Sequence, residues 1–341
     1  MKRTKVAALA TALVIGVGTV AGATSASADF TPQTRDIVGV GSDTSQFAVN
    51  YLADGVLVGG SLKVGYNGAA SARLVSFDAM TTAGVVHDNI VLKTGKPAVQ
   101  RPNGSGEGKT ALLNNADVNF ARASSSLNAT EISGGLSQVP FALDGLKLAV
   151  SAQGSNAPTT ITAAQMVAIY DGTYTNWSQV DPTKSGTIVA YIPQSGSGTR
   201  SFFVAQLQAA NGGVAVTLRS DIKTSEEHDA KIFDHANADA TIAANAVNAV
   251  APFSTGRASF SPTLVSLESG FSAQRALYNV VRTADLTKPW FTTIFSATGF
   301  VCGTTGKSAI EAAGFKQLAL PDDGGVCGTP TTAATTNFAV N

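Results

Sequence analysis

Three short segments rich in serine and glycine have the composition of anion-binding loops. They read GSDTS at 41–45, GSGEGKT at 104–110 and SGSGT at 195–199, and each lies between a short apolar run and a stretch with helical spacing. A loop at a helix start offers backbone N–H groups without intrahelical partners and the positive end of the helix dipole. These first, second and third loops therefore indicate one site for a small anion. The alternative is hydroxyl-capped helices without a ligand.

Two arginines accompany these loops. Arg200 follows the third loop in a first helical turn, where an exposed cation is unfavourable by about 0.3–1 kcal/mol unless an anion lies nearby. Arg122 ends a predicted strand and precedes the serines 124–126. Both could pair with a bound anion. The alternatives are a solvated side chain for Arg200 and a surface ion pair for Arg122.

Catalytic and metal-binding motifs are incomplete in this chain. The second loop has Asn103 where a nucleotide-binding P-loop needs its first glycine, and Ser197 lacks the flanking glycines of a serine-hydrolase elbow. The histidines show no metal-ligand spacing, and the EEHD segment at 226–229 is expected to be a solvated polar stretch. We therefore expect no enzyme, no metal and no cofactor.

The first 28 residues have the features of a signal peptide. A positive start precedes an alanine-rich apolar run and an Ala-Ser-Ala site, so cleavage is expected near Ala28 and the product is expected to be secreted. Removing this segment leaves 20 basic against 23 acidic residues, a net charge of about −3. That balance argues against nucleic-acid binding. No further apolar stretch reaches membrane-spanning length and no cysteine marks a lipid anchor, so we expect a soluble monomer.

Apolar runs with strand character alternate with helical patterns through the rest of the chain. This alternation predicts an α/β protein with mostly parallel sheets, whose ligands lie beyond the carboxyl ends of the strands. The run 140–150 is expected to be a strand buried in such a sheet, and the alanine-rich stretch 230–249 a helix. The length favours two domains. Cys302 and Cys327, the only cysteines, are expected to pair after export.

Several of these segments together resemble the phosphate-binding proteins of ABC importers, in particular their secreted actinobacterial forms. The resemblance rests on GVGSDTSQ at 39–46, VNFARASSS at 118–126 and PQSGSGTRSFF at 193–203, in this order and spacing. Weaker support comes from VPFALDGLKLAV, VAPFSTGR and ALYNVVR, which begin at residues 139, 250 and 276. The likeness covers most of the chain beyond the signal peptide.

The resemblance implies a type II periplasmic-binding-protein-like fold, with two α/β domains joined by two hinge strands. Domain I would comprise 29–145 and 277–341, and domain II 146–276. The two would close over one dehydrated oxyanion, most readily inorganic phosphate, for delivery to an ABC permease. With the two arginines, the expected ligand contacts are Ser42, Asp43, Thr44, Ser105, Arg122, Ser124, Ser197, Gly198, Thr199 and Arg200.

The chain departs from the family pattern at two positions. Pro193 stands where the best-known members have an arginine, so Arg200 would have to replace it. Ser124 stands where they have an aspartate that accepts the proton of the ligand, and Asp43, Asp78 and Asp144 are the candidate substitutes. Two other functions stay open. One is a secreted phosphoester hydrolase with Ser197 or Thr199 as nucleophile and His228 as base; the other is a scaffold that has lost its ligand.

Overall fold

The computed structural model describes residues 31–332 and 337–339. The expected signal peptide, 1–28, lies outside the described residues. Within them, no helix combines the length and the apolar character that crossing a membrane requires.

Most of the strands belong to one large sheet. The described strands are β1 (Ile37–Gly41), β2 (Gly55–Val58), β3 (Ser61–Val64), β4 (Leu74–Ser76), β5 (Asn89–Ile90), β6 (Val99–Gln100), β7 (Phe120–Ala123), β8 (Leu136–Ser151), β9 (Val189–Pro193), β10 (Lys223–Ser225), β11 (Ala249–Ser254), β12 (Val265–Leu267), β13 (Ala273–Arg282), β14 (Lys316–Gln317) and β15 (Asn337–Ala339).

Helices follow or precede most of the parallel strands. The described α-helices are α1 (Gln46–Asp54), α2 (Gly104–Asn114), α3 (Ala129–Ser133), α4 (Ala163–Tyr170), α5 (Gly198–Ala210), α6 (Ala240–Ala246), α7 (Thr255–Ala258), α8 (Pro289–Ile294) and α9 (Thr304–Ala312).

Capping residues explain several helix starts. Thr162 Oγ1 accepts from the Gln165 N–H at 3.2 Å while Gln165 Oε1 accepts from the Thr162 N–H at 2.9 Å, so α4 begins with a capping box. Ser197 Oγ accepts from the Arg200 N–H at 3.0 Å, so α5 begins inside the third loop. The helix after this loop therefore starts at Gly198.

The large sheet contains two parallel blocks. Its main path runs β10-β9-β11-β8-β13-β7-β1-β4. The first block is β7, β1 and β4, and the second block is β11, β9 and β10; neighbours within each block are parallel. Between them, β8 and β13 pair antiparallel with each other and with the adjacent blocks. The sheet is thus mixed, and the prediction of mostly parallel sheets is correct only inside each block.

Strands β8 and β13 connect the two blocks. β8 runs for 16 residues and packs Phe141 into a core with Phe120 and Phe295, beside the first block. Further along, its Leu148 packs into a second core with Trp177 beside the second block. Burying each such side chain stabilises the fold by about 1.5–3 kcal/mol. The run 140–150 is therefore a buried strand as expected, but an antiparallel one that joins two cores.

The alanine-rich stretch 230–249 is not one helix, contrary to the prediction. A short 3₁₀ turn covers Ala230–Phe233, and α6 covers only Ala240–Ala246. Between them, Asp234 accepts from the Ala236 N–H and Asn237 from the Asp239 N–H, each at 2.9 Å. These side-chain bonds offer the backbone an alternative to helical hydrogen bonds.

The predicted disulfide is confirmed. Cys302 and Cys327 are bonded, with their Cα atoms 5.7 Å apart. The bond links the turn after α8 to the segment after β14 and packs against the core of the first block.

Candidate functional site

Five hydroxyl side chains from both blocks meet at the carboxyl ends of the strands. Ser42 and Thr44 follow β1, Ser124 follows β7, and Ser105 and Thr199 lie in the first turns of α2 and α5. All five are fully buried. Ser42 Oγ lies 3.1 Å from Ser124 Oγ, and Thr44 Oγ1 lies 3.3 Å from Thr199 Oγ1. We call these residues the hydroxyl cluster. The three Ser/Gly loops therefore meet at one place in the fold, and an anion site there stays a prediction.

Glycine at position 198 permits this close approach. A Cβ there would lie 2.3 Å from Ser124 Oγ and 2.4 Å from Ser105 Oγ, well inside contact distance. The backbones also meet, because the Gly106 N–H donates to Gly196 O at 3.0 Å. The second and third loops are thus in direct contact across the site.

A carboxylate from the second block lies in the hydroxyl cluster. Glu227 follows β10 and is almost completely buried. Its Oε1 accepts from Thr44 Oγ1 at 2.9 Å, from the Thr199 N–H at 3.2 Å and from Ser124 Oγ at 3.5 Å. The Thr199 hydroxyl donates to the same oxygen. These donors therefore hold an anionic oxygen in the structure itself.

A buried ion pair on the connecting strands supports the cluster. Arg275 on β13 lies opposite Asp144 on β8, and its Nε and NH2 donate to Asp144 Oδ2 at 3.1 and 2.9 Å. The same NH2 group lies 2.9 Å from Thr199 Oγ1 and 3.4 Å from Thr44 Oγ1. Ser254 Oγ donates to Asp144 Oδ1 at 2.6 Å. The arginine thus brings a positive charge to the hydroxyls, and Asp144 balances it.

A second charged group lies beside the first loop. Asp43 accepts from Arg257 NH2 at 3.1 Å, and its other carboxylate oxygen lies 2.9 Å from His228 Nδ1. Burial acts to raise the pKa of Asp43, but the Arg257 charge and the His228 hydrogen bond outweigh it, so the pKa lies below its usual value. Because Arg257 and His228 follow strands of the second block, Asp43 ties the two blocks together.

Comparisons with known proteins identify the fold family. A family model described as a PBP superfamily domain matches residues 24–332. The chain belongs to this family. No curated protein sequence matches it.

Solved structures of low sequence identity share the fold of this PBP superfamily chain. One is a putative phosphate ABC transporter substrate-binding protein with bound phosphate from Clostridium perfringens, with 17% identity, 83% of this chain and 99% of that chain covered, and a TM-score of 0.56. Another is an ABC-type phosphate transport receptor from Vibrio cholerae, with 17% identity, 82% and 99% coverage and a TM-score of 0.52. A human phosphate-binding apolipoprotein has 15% identity, 82% and 90% coverage and a TM-score of 0.51.

The family match confirms the predicted periplasmic-binding-protein-like α/β fold. The two long strands β8 and β13 occupy the place of the expected hinge strands between the blocks. The residue limits of the two domains, 29–145 with 277–341 and 146–276, stay a prediction.

The two arginines that the sequence singled out lie outside the hydroxyl cluster. Arg122 is fully buried, and its guanidinium donates to Ser42 O at 3.0 Å, Gly41 O at 3.2 Å and the Ser76 hydroxyl. It therefore holds the backbone of the first loop. Arg200, in the first turn of α5, donates from NH1 to the carbonyl of Pro193 at the end of β9, at 2.8 Å. The arginine that reaches the hydroxyls is Arg275.

Burial changes the pKa values of two groups behind the first loop. It lowers the pKa of Arg122 to about 10, although the charges of Asp78 and Asp43 oppose the change. Burial likewise raises the pKa of Asp78 against the opposing Arg122 charge. Each group is thus removed from water and compensated by the other's charge.

The segment 226–229 differs most from its sequence-based interpretation. The sequence predicts a solvated polar stretch, but Glu227 and His228 are buried, because both side chains bond the opposite block. Sequence reasoning also missed Arg275. Its one available signal was a single charge at the start of an apolar strand, matched by Asp144 in another.

A metal site and the hydrolase alternative would each need a particular arrangement of side chains among the described residues. No group of three or more His, Cys, Asp or Glu side chains that could hold a metal ion occurs among residues 31–332. Ser197 Oγ accepts from the Arg200 N–H, while His228 Nδ1 lies beside Asp43. The Thr199 hydroxyl donates to Glu227 Oε1, so the described hydrogen bonds pair neither Ser197 nor Thr199 with His228, the base that the hydrolase alternative names.

Proposed function

We propose that the protein is a secreted solute-binding protein that captures a small tetrahedral oxyanion between its two blocks for ABC-type uptake. The oxyanion that we propose first is inorganic phosphate. The observation that carries the proposal is the buried hydroxyl cluster, because its donors come from both blocks and already surround one carboxylate oxygen. The phosphate named for the Clostridium perfringens and Vibrio cholerae structures supports the choice of ligand.

The residues of the proposed site have two roles, binding the oxyanion and holding the loops in place. Ser42, Thr44, Ser105, Ser124, Ser197, Gly198 and Thr199 would supply hydroxyl and backbone donors. Arg275 would add charge to this set from the connecting strands. Asp43, Arg122 and Arg200 would hold the loops in place through the contacts described above. Each charge-assisted hydrogen bond would contribute about 1.5–3 kcal/mol before desolvation.

The proposed mechanism is closure of the two blocks about β8 and β13. In an open form the loops of the first block and the third loop would separate, and water would hydrate the donors. On closure, the donors would replace the hydration shell of the oxyanion, which makes the fit selective. Direct contact between the second and third loops supports a closed form of this kind.

The remaining parts of the proposal concern chemistry and cellular context. We propose that the protein is not an enzyme, uses no metal or cofactor, binds no nucleic acid and acts as a monomer. We also propose that it is exported with cleavage near Ala28, carries no membrane anchor and delivers its ligand to an ABC permease. The disulfide Cys302–Cys327 supports an oxidising compartment.

Calorimetric titration of phosphate and sulfate into ligand-stripped mature protein tests the proposal. We expect phosphate binding, and we expect Thr199→Ala to weaken it at least tenfold, since the variant loses a donor of the cluster. Ser201→Ala, an exposed position on the same helix, is the matched control. If neither anion binds at millimolar concentration to the wild type or to the Glu227 variants described below, the proposed function is wrong.

A further inference from the structure

Three consecutive side chains of the second block bind residues of the first block. Glu226 Oε2 accepts from Asn103 Nδ2 at 2.6 Å, Glu227 Oε1 accepts from the hydroxyl cluster, and His228 Nδ1 lies 2.9 Å from Asp43 Oδ2. We call these residues the 226–228 segment. It follows directly on β10, the outer strand of the second block, and reaches the loops beyond β1 and β7.

The backbone of this segment adopts an uncommon conformation. His228 has a φ of 58°, and it is one of two non-glycine residues with positive φ in the described chain. Residues other than glycine seldom occupy this region, and such conformations persist where surrounding contacts hold them. The bond from His228 to Asp43 and the neighbouring Glu227 contacts provide that support. The segment is thus held in place at the site.

The donors of the cluster are shared unevenly between the two oxygens of the Glu227 carboxylate. Oε1 accepts from Thr44, Ser124 and both the N–H and the hydroxyl of Thr199. Oε2 is buried and has no hydrogen-bond partner in the described chain. A carboxylate has only two oxygens in one plane, whereas the donors come from several directions. An oxyanion with four oxygens would match such a donor set better.

The cluster cannot hold Glu227 and a second anion together. The hydroxyl oxygens of Ser42 and Ser124 lie 3.1 Å apart, and those of Thr44 and Thr199 lie 3.3 Å apart. Nothing between them leaves the width of a tetrahedral anion, and two anions at contact distance in a buried site repel strongly. An external oxyanion must therefore displace the carboxylate and reopen the cluster.

We propose that Glu227 is an internal ligand of the hydroxyl cluster. It holds the two blocks together when no external oxyanion is bound, and it competes with that oxyanion for the hydroxyl donors. The proposal rests on the proposed function and adds to it a residue that sets the affinity of the site. The apparent affinity for the external oxyanion is its intrinsic affinity multiplied by the fraction of molecules in which Glu227 does not occupy the cluster. Every external anion has to compete with the carboxylate, so the segment raises the concentration at which weak ligands occupy the site.

The test uses Glu227→Ala and the near-isosteric Glu227→Gln, which keeps an acceptor oxygen and the side-chain volume. Glu226→Ala is the matched control, because it removes a carboxylate that bonds across the same interface outside the cluster. Phosphate affinity is measured by calorimetry. Occupancy of the cluster is measured by hydrogen exchange of the Thr199 amide, which donates to Glu227 Oε1; the amides of α4 serve as an internal reference.

We expect Glu227→Ala to bind phosphate at least tenfold more tightly than the wild type, and Glu227→Gln to change in the same direction. Glu226→Ala is expected to change the affinity less than threefold. Without ligand, the Thr199 amide of Glu227→Ala should exchange at least tenfold faster. Sodium acetate should restore its protection, since the free carboxylate replaces the missing one.

The outcomes separate this inference from the proposed function. Faster exchange that acetate reverses, without phosphate binding by any variant, would support the internal ligand and contradict the phosphate function. Unchanged exchange of the Thr199 amide in Glu227→Ala would overturn the internal ligand. Weaker phosphate binding by both Glu227 variants would overturn the competition, because Glu227 would then act with the ligand and not against it.

Discussion

The ion pair between Asp144 and Arg275 gives the most quantitative prediction. Both side chains are fully buried, and they lie opposite each other on the two strands that connect the blocks. Replacing Arg275 by methionine keeps much of the side-chain volume beside Phe202 but removes the charge. Asp144 would retain only the Ser254 hydroxyl among its described partners.

The expected loss of stability follows from this burial. Removing one partner of a buried ion pair leaves an uncompensated charge and typically costs about 3–5 kcal/mol. We therefore expect Arg275→Met and Asp144→Asn each to reduce the free energy of unfolding by about that amount. The double variant has no buried charge at this position, so it should lose less than the sum, with a coupling free energy of about 1–3 kcal/mol.

Urea denaturation of the two single variants and the double variant measures this coupling. The control is Lys307→Met, which breaks an exposed pair with Glu311 on α9 and should change stability by less than about 0.5 kcal/mol. Single-variant losses below about 1 kcal/mol, or strictly additive losses, would refute the view that the pair is buried and mutually dependent.

Three further predictions concern closure, the disulfide and pH. Gly198→Ala should make the Thr199 amide of the ligand-free protein exchange at least tenfold faster, because its Cβ would meet the hydroxyls of Ser124 and Ser105 and keep the cluster from closing on Glu227; unchanged exchange would contradict the closed geometry. The double variant Cys302→Ser, Cys327→Ser should lose about 3.5 kcal/mol of unfolding free energy in urea, since the bond spans 25 residues; a loss below 1 kcal/mol would count against the loop-entropy account. Asp43 has a lowered pKa in the folded protein, so its contribution to stability is present above its unfolded pKa and is lost as the pH falls through the lower folded value. Thermal unfolding between pH 6 and pH 3 should therefore show a smaller loss for Asp43→Asn than for the wild type, and parallel curves would exclude this contribution.

Local chemistry explains how much of the fold the sequence predicts. The Ser/Gly loops and capping box of α4 depend on neighbouring residues, so their helices are predictable from short segments. The direction of β8 cannot be predicted from its own residues, because an apolar run of this kind suits a buried strand of either orientation. Its antiparallel pairing with β13 joins residues 136–146 to 273–282, far apart in the chain.

The same distinction separates the predictable and unpredictable parts of the candidate site. The hydroxyl donors belong to loops with a recognisable pattern. Glu227 and Arg275 lie 28 and 76 residues from Thr199, and nothing in their own segments specifies that contact. A charged stretch such as 226–229 is usually solvated, but here contacts with the first block bury Glu227 and His228. The burial of these polar residues by tertiary contacts therefore cannot be predicted from the local sequence.

The charges around the hydroxyl cluster bear on which oxyanion the proposed site would accept. Arg275 is balanced by Asp144, and Asp43 is paired with Arg257 and His228. Among the described residues, Glu227 thus supplies the carboxylate that accepts directly from the hydroxyls. If a ligand replaces it, a singly charged oxyanion preserves the charge of the site, whereas a dianion adds one negative charge.

This charge count favours phosphate over sulfate even though Ser124 stands where an aspartate would accept the ligand's proton. Phosphate has a singly charged form near neutral pH, but sulfate does not. We expect sulfate to bind at least tenfold more weakly than phosphate at pH 6, and phosphate affinity to fall as the pH rises from 6 to 8. Calorimetric titrations of both anions measure these differences. Equal affinities for phosphate and sulfate would show that donor geometry, and not the charge of the displaced Glu227, decides selectivity.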